Sequence, residues 1–307
     1  MAMKTRWRDW LILARPLFHT VGILPFILGL VLSWGMGNPI NWPVFLLGVL
    51  MVVAIMLAAY YGGEAYDVEE DRVTWSQGTN PFSGGSGAVV GGRINPKQAR
   101  RASSLAILIA ILIGVFIQFG LKTGPWTLPF GLMGALSGYY YSTPPLRWVQ
   151  RGVGELIIAF CYGWLPVATG YYLQTGSIHP WVHWLSIPVG CTIFNVILLN
   201  EFPDYQADSQ TGKRNLVVRL GRERAYRIYG GVTLLAFFSF FALVLAGLPL
   251  QLPIVAAPFY LIGGIIYREL RKGSYQDQHT LKKLCGLNLL INLGITTLLI
   301  LYVGRYI

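Results

Sequence analysis

Residues 43–71 read "PVFLLGVLMVVAIMLAAYYGGEAYDVEED". The first part, 43–63, carries no charge. As a helix rising 1.5 Å per residue it spans about 30 Å, the thickness of a bilayer's hydrocarbon core. Its apolar residues are continuous rather than alternating, which predicts a helix and not a barrel strand. The run then stops abruptly, and acids follow at Glu64, Asp67 and Asp71. A membrane span that ends in a carboxylate pattern therefore sets both the fold class and the search for a site.

Eight further apolar runs repeat the first part. With the run above, the expected spans are 17–35, 43–63, 101–120, 124–142, 152–174, 181–200, 226–247, 251–270 and 284–304. The chain of 307 residues is 54% hydrophobic and 12% charged, with a mean hydropathy of +0.52. A soluble domain carries about twice that charged fraction. The expectation is an all-α, polytopic membrane protein forming a single domain over 1–307. Cys161, Cys191 and Cys285 all fall inside spans, which predicts small buried residues and no disulfide.

The net charge of +11 does not point to nucleic acid, because of where the charge lies. With nine spans, 22 of the 24 basic residues, from Lys4 to Lys283, fall on one side, and only Lys122 and Arg305 lie opposite. The positive-inside rule makes the crowded side cytoplasmic. The expected location is a cytoplasmic membrane, with the N-terminus and acidic loops inside and the C-terminus opposite. The basic excess also suits anionic lipid headgroups or an anionic substrate.

The acidic pattern occurs twice. "EAYDVEED" (64–71) and "EFPDYQAD" (201–208) both read E-x-x-D-x-x-x-D. On a helix these positions share one face, so Glu64, Asp67 and Asp71 converge, as do Glu201, Asp204 and Asp208. Like charges held together need a cation between them. Lysine or arginine can serve, and Mg²⁺, which prefers carboxylate oxygens, serves better. Two solvated acidic helix ends are the bland alternative, but a three-acid match arises at roughly one start in ten thousand by chance. Glu69 and Glu70 lie off the stripe and read as solvated.

Basic residues follow both motifs: Arg72 after the first, Lys213 and Arg214 after the second. Mg²⁺ characteristically joins carboxylates to substrate phosphates, and Lys and Arg neutralise the remaining oxygens. The stretch "SGGSG" (83–87) is either a phosphate cradle of backbone N–H groups or a flexible loop. A metal–diphosphate site at the mouth of an apolar bundle suggests an isoprenoid diphosphate, whose chain belongs in lipid.

At this point the chain resembles the UbiA superfamily of membrane prenyltransferases. The resemblance rests on "ARPLFHT" (14–20), "EAYDVEED", "YYYSTPPLRWVQRGVGELIIAFCYGWLP" (139–166) and "NEFPDYQADSQTGKRNLVVRLG" (200–221). The last is most similar to the branch that prenylates 1,4-dihydroxy-2-naphthoate in menaquinone synthesis. The resemblance implies nine helices around a central cavity and Mg²⁺-dependent transfer of a polyprenyl group from its diphosphate to an aromatic acceptor. It implies catalytic roles for Asp67, Asp71, Asp204, Asp208 and Lys213, and a matching position at Asn200. The family's first motif commonly opens Asn-Asp, where this chain has Gly63 and Glu64. Glu201 matches a position that varies.

Further substrate-binding candidates are Arg15, Tyr141, Arg147 and Arg151. Arg15 equally suits a snorkelling role at a helix entry. Of Tyr139, Tyr140 and Tyr141, at least two suit the membrane interface alone. Glu155 needs a partner, for which Arg151 at i−4 is the leading choice. His19 reads as a packed residue, and Gly134 and Gly138 as helix contacts. Two alternatives stay open: the same fold with 4-hydroxybenzoate, a chlorophyllide, a haem or a lipid as acceptor, and a transporter, whose ion sites sit nearer mid-bilayer.

Overall fold

The computed structural model describes residues 6–77 and 80–307; Lys4 and Thr79 lie outside them. Helix α1 (Trp7–Ala14) turns into α2 (Thr20–Gly35). Then come α3 (Trp42–Tyr66), α4 (Val68–Gln77), α5 (Pro96–Val115), α6 (Thr127–Tyr139), α7 (Gly154–Ala159), α8 (Leu165–Thr175), α9 (Pro180–Thr211), α10 (Leu216–Leu220), α11 (Arg222–Leu245), α12 (Gln251–Arg271) and α13 (Gln278–Tyr306). A π-helical turn, Phe160–Trp164, joins α7 to α8. The described residues contain no strand. Caps match the sequence: Asn41, Asn95 and Asn215 each accept a backbone N–H at a helix start, and Gly176 and Gly212 end α8 and α9 at φ +71° and +80°.

Eight helical segments among the described residues are long and apolar enough to cross a membrane. This is a multi-pass membrane protein. The ninth expected span, 124–142, contains a helix of 13 residues, about 20 Å long. It still crosses. The first and last spans run parallel, with Gly35 against Ile307 and Gly304 against Val31. Parallel first and last spans require an odd number of crossings, and α6 supplies the ninth.

Helix packing uses glycine where backbones touch. A Cβ on Gly29 would lie 2.1 Å from the Val167 carbonyl oxygen, and one on Gly170 would lie 2.1 Å from that of Phe26. These two residues let α2 and α8 cross in direct contact. A polar ladder joins the other half of the bundle. Tyr229 donates to Asn288 Oδ1 at 2.9 Å, Asn292 Nδ2 to Thr192 Oγ1 at 2.9 Å, and Asn195 Nδ2 to Thr233 Oγ1 at 2.9 Å. Away from water such bonds tie α9, α11 and α13 together. The three cysteines are free thiols.

The cavity is walled by α2, α3, α6, α7–α8 and α9. The remaining spans pack outside these. Helix α5 backs α3, α11 and α12 lie beyond α9, and α13 lies against both α2 and α9.

Candidate active site

The second motif lies on one continuous helix. α9 runs for 32 residues, about 48 Å, so it outreaches a hydrocarbon core of about 30 Å. Its final turns carry Glu201, Asp204 and Asp208. Gly212 reverses the chain, Lys213 N bonds the Asp208 carbonyl at 2.9 Å, and the lysine folds back onto its own helix. Lys213 Nζ lies 3.5 Å from Asp208 Oδ1, while Asn215 Nδ2 donates to Asp208 Oδ2 at 2.7 Å.

The first motif crosses a break. Glu64 closes α3, Asp67 sits at the junction with φ −98° and ψ 20°, and Asp71 belongs to α4. The bond from Asp71 N to the Asp67 carbonyl, 2.8 Å, keeps the helical spacing across that break. Asp67 accepts from Ser142 Oγ at 2.7 Å and from Arg147 Nη2 at 2.8 Å. The same Arg147 nitrogen reaches Glu70 at 3.1 Å. Glu70 is therefore buried and paired, correcting its reading as solvated. Glu69 is exposed, as expected, and pairs with Arg72 on the surface.

Both motifs meet at the mouth of one cavity of about 300 Å³. Glu64, Asp67, Asp71, Glu201, Asp204, Asp208, Lys213 and Asn200 all line it. Below them the walls turn apolar, through Ile55, Val196 and Ile158 down to Met51, Phe130 and Leu165. From Glu64 to Met51 along α3 is about 20 Å. Burial, and then the charge of Asp67, push the Asp71 carboxyl well above the usual range. Burial alone lowers Lys213, but Asp208, Asp67, Asp204 and Asp71 outweigh it and hold the ammonium well above its ordinary pKa.

The residues fit a hard cation. Glu64 Oε2 and Asp204 Oδ1 are buried and make no hydrogen bond within 3.5 Å. Among the described residues no three acidic, histidine or cysteine side chains close on one point by themselves. An ion that takes one or two carboxylates and completes its shell with phosphate and water suits that arrangement.

Residues 22–293 match the profile of the UbiA prenyltransferase family. The chain belongs to that family. The 1,4-dihydroxy-2-naphthoate octaprenyltransferase of Bacillus subtilis is 27% identical over 235 residues, covering 76% of this chain and 73% of that one. The Escherichia coli protein of the same name is 25% identical over 254 residues, covering 78% and 79%. The UbiA prenyltransferase domain-containing protein 1 of Dictyostelium discoideum is 32% identical over 139 residues, which cover 45% of this chain and 41% of that protein. In structure, a UbiA homologue from Archaeoglobus fulgidus bound to GPP and Mg²⁺ superposes with a TM-score of 0.63 at 18% identity, covering 95% of this chain and 99% of that one. That likeness shows a shared fold.

Within this UbiA-family prenyltransferase the other expected residues divide. Arg15 lines the cavity mouth, donates to the Pro81 carbonyl at 3.3 Å and lies over the Phe18 ring. Tyr141 lines the cavity, while Tyr139 and Tyr140 pack edge-on against each other away from it. Arg147 does not line the cavity but braces Asp67 from behind. Arg72 and Arg214 are exposed and point elsewhere. Arg151 bonds the carbonyls of Leu146 and Pro145, so it is not the partner of Glu155. Glu155 instead accepts from Leu216 N at 2.7 Å, and Glu201 accepts from Val217 N at 3.5 Å. These two acids from α7 and α9 thus cap α10. His19 is packed, bonding the Ala14 carbonyl at 3.0 Å. Gly134 and Gly138 face α3 and also line the cavity.

The sequence does not single out Ser142 or Asn215, and it offers the 83–87 backbone as a phosphate cradle or a flexible loop, not as a partner of Glu64 and Asp204. Ser142 and Asn215 had a visible signal, as polar residues inside the family-like stretches. For the loop amides the glycines are the signal, and what they bond is not readable from it.

Proposed function

We propose that this chain transfers a polyprenyl group from polyprenyl diphosphate to 1,4-dihydroxy-2-naphthoate, with Mg²⁺, in menaquinone synthesis. The observation that carries this reading is the cavity with carboxylates and Lys213 at its mouth and apolar walls beneath. Two of the relatives above carry the naphthoate name, which supports that acceptor. The basic loops support placing the mouth at the cytoplasmic face of a cytoplasmic membrane, with the N-terminus inside and the C-terminus opposite.

In the reaction the allylic C–O bond breaks and its electron pair leaves with diphosphate. The ring carbon that bears the acceptor's carboxylate supplies the pair for the new C–C bond, and loss of CO₂ from that carbon returns a pair to the ring and restores its aromaticity. Mg²⁺, when bound, neutralises charge on the departing diphosphate. Asp67, Asp71, Asp204 and Asp208, together with Glu64, would hold it, one or two carboxylates to an ion. Lys213 donates to diphosphate oxygens, and Asn200 lies on the same wall. Arg147 and Ser142 orient Asp67. The apolar walls hold the prenyl chain and exclude water from the cation. Tyr141 stands at the level where the acceptor meets it.

Labelled polyprenyl diphosphate, supplied with the naphthoate or with 4-hydroxybenzoate to membranes holding the protein, tests the reading. The expected result is Mg²⁺-dependent product from the naphthoate, abolished by Asp67→Ala and by Asp204→Ala. Product only from 4-hydroxybenzoate would overturn the acceptor. Full activity without Mg²⁺ would overturn the mechanism.

A further inference from the structure

The loop Ser83–Gly87 lies over the cavity mouth, pressed between Trp75 of α4 and the acids. Gly84, Gly85 and Gly87 hold φ of +67°, +69° and +75°, the left-handed region that glycine alone enters without strain. A Cβ on Gly85 would lie 2.3 Å from Asp71 Oδ2, and one on Gly87 would lie 1.9 Å from Trp75 Cζ2. At Gly85 and Gly87 there is no room for a side chain. The loop backbone is brought up to both Trp75 and the acids.

That backbone makes two bonds to the acids. Gly84 N donates to Asp204 Oδ2 at 3.1 Å, and Ser86 N donates to Glu64 Oε1. The second oxygen of each acid, Asp204 Oδ1 and Glu64 Oε2, is buried and makes no hydrogen bond within 3.5 Å, with the Thr74 and Ser83 hydroxyls near Asp204. Each carboxylate is thus split: one oxygen is fixed by the loop and the other is left for something else. The two acids come from different motifs, on α9 and α3, so one short loop sets the orientation of both. The loop is in turn fixed by Trp75, whose Nε1 donates to the Gly84 carbonyl at 2.6 Å.

We propose that the Gly84 and Ser86 amides are positioning groups that turn Asp204 and Glu64 toward the cation, with Trp75 as their anchor. This rests on the Mg²⁺ reading above. A carboxylate with one oxygen held by an outer donor presents the other at a fixed angle, as outer-shell partners do at metal sites. It also gives Glu64 a purpose, as the acceptor of the Ser86 amide. The stretch "SGGSG" is then an orienting device for acids. Its Gly84 and Ser86 amides are spent on carboxylates rather than on a phosphate.

The test uses the full chain in lipid nanodiscs, with Mn²⁺ as the probe and its binding read by electron paramagnetic resonance, without acceptor. Trp75→Phe keeps a ring beside Gly87 and removes the Nε1 donor. The expected result is Mn²⁺ affinity weakened by about 10-fold or more, with faster hydrogen exchange in a peptide covering 83–87. The Mg²⁺ concentration for half-maximal transfer rises in step, while the acceptor KM is unchanged. Ser86→Pro, which deletes the amide donor to Glu64, is expected to weaken Mn²⁺ binding by a similar factor. Mn²⁺ affinity within twofold of wild type in both variants would overturn the proposal. A phosphate cradle would instead leave Mn²⁺ affinity intact and raise the KM for the diphosphate. No Mn²⁺ binding by the wild type, with or without inorganic diphosphate, would overturn the metal reading itself and is visible before any variant is made.

Discussion

Replacing Lys213 with methionine removes one cation from among four carboxylates while keeping a long apolar side chain. Lys213 Nζ lies 3.5 Å from Asp208 Oδ1, and the lysine side chain is 13% exposed. At that distance and an effective dielectric of 20 the attraction is about 5 kcal/mol before desolvation. Removing one partner of such a buried pair costs roughly 3–5 kcal/mol. The metal-free Lys213→Met protein is therefore expected to unfold at lower temperature, and added Mg²⁺ to raise its transition more than that of the wild type. In turnover, the lost charge-assisted bond to diphosphate is worth about 1.5–3 kcal/mol, or about 10- to 150-fold in kcat/KM. The assay is steady-state transfer in nanodiscs with prenyl diphosphate and Mg²⁺ varied independently, and Lys213→Arg as the charge-keeping control. A kcat/KM for the diphosphate within threefold of wild type would show that the lysine only balances the acids and never meets the substrate.

Three further outcomes follow from the same geometry. Asp71 holds its proton above the ordinary carboxylate range, so ionising it opposes folding as pH rises from its unfolded value to its folded one. The metal-free protein should lose stability across that window. Mg²⁺ should bind more tightly with rising pH and release protons, seen by calorimetry in two buffers of different ionisation heat; affinity flat with pH would contradict this. Arg147→Gln strips the partner from buried Asp67 and Glu70 and should lower thermal stability by roughly 3 kcal/mol. Arg72→Gln breaks a surface pair and should change it by no more than about 0.5 kcal/mol; equal effects would remove the distinction between the two arginines. Gly170→Ala puts a Cβ 2.1 Å from the Phe26 carbonyl oxygen, which forces α2 and α8 about 1 Å apart at a cost of roughly 1–3 kcal/mol. Gly131→Ala meets only Met51, at 3.5 Å from Sδ and 3.9 Å from Cε, and should fold like the wild type; a melting comparison of the two decides.

The fold was legible because a membrane span writes itself as an unbroken apolar run, and every expected run became helix. The length of α6 was not legible, since the apolar residues of 124–142 continue past the helix at both ends. The motif acids were legible because their spacing is local. Their partners were not. Asp67 meets Arg147 across 80 residues and Gly84 meets Asp204 across 120, contacts that only packing creates. Proximity in sequence misled at Arg72 and Arg214, which follow the motifs closely yet point outward, and at Arg151, four residues from an acid that bonds a helix N-terminus instead. Glu70 was misjudged for the same reason, because its arginine comes from the loop after α6.

The position of α13 carries a consequence for how the protein is made. This helix lies against α2 and α9, and its Leu289 packs behind Val21, Ile193 and Val196, which line the cavity. Ribosomal synthesis delivers α2 first and α13 after every other span. Until it arrives, the seam between α2 and α9 faces lipid, and Thr192 and Tyr229 lack the asparagines that α13 brings them. A chain stopped before Gln278 therefore carries every acid of the site and has no sealed pocket in which to use them.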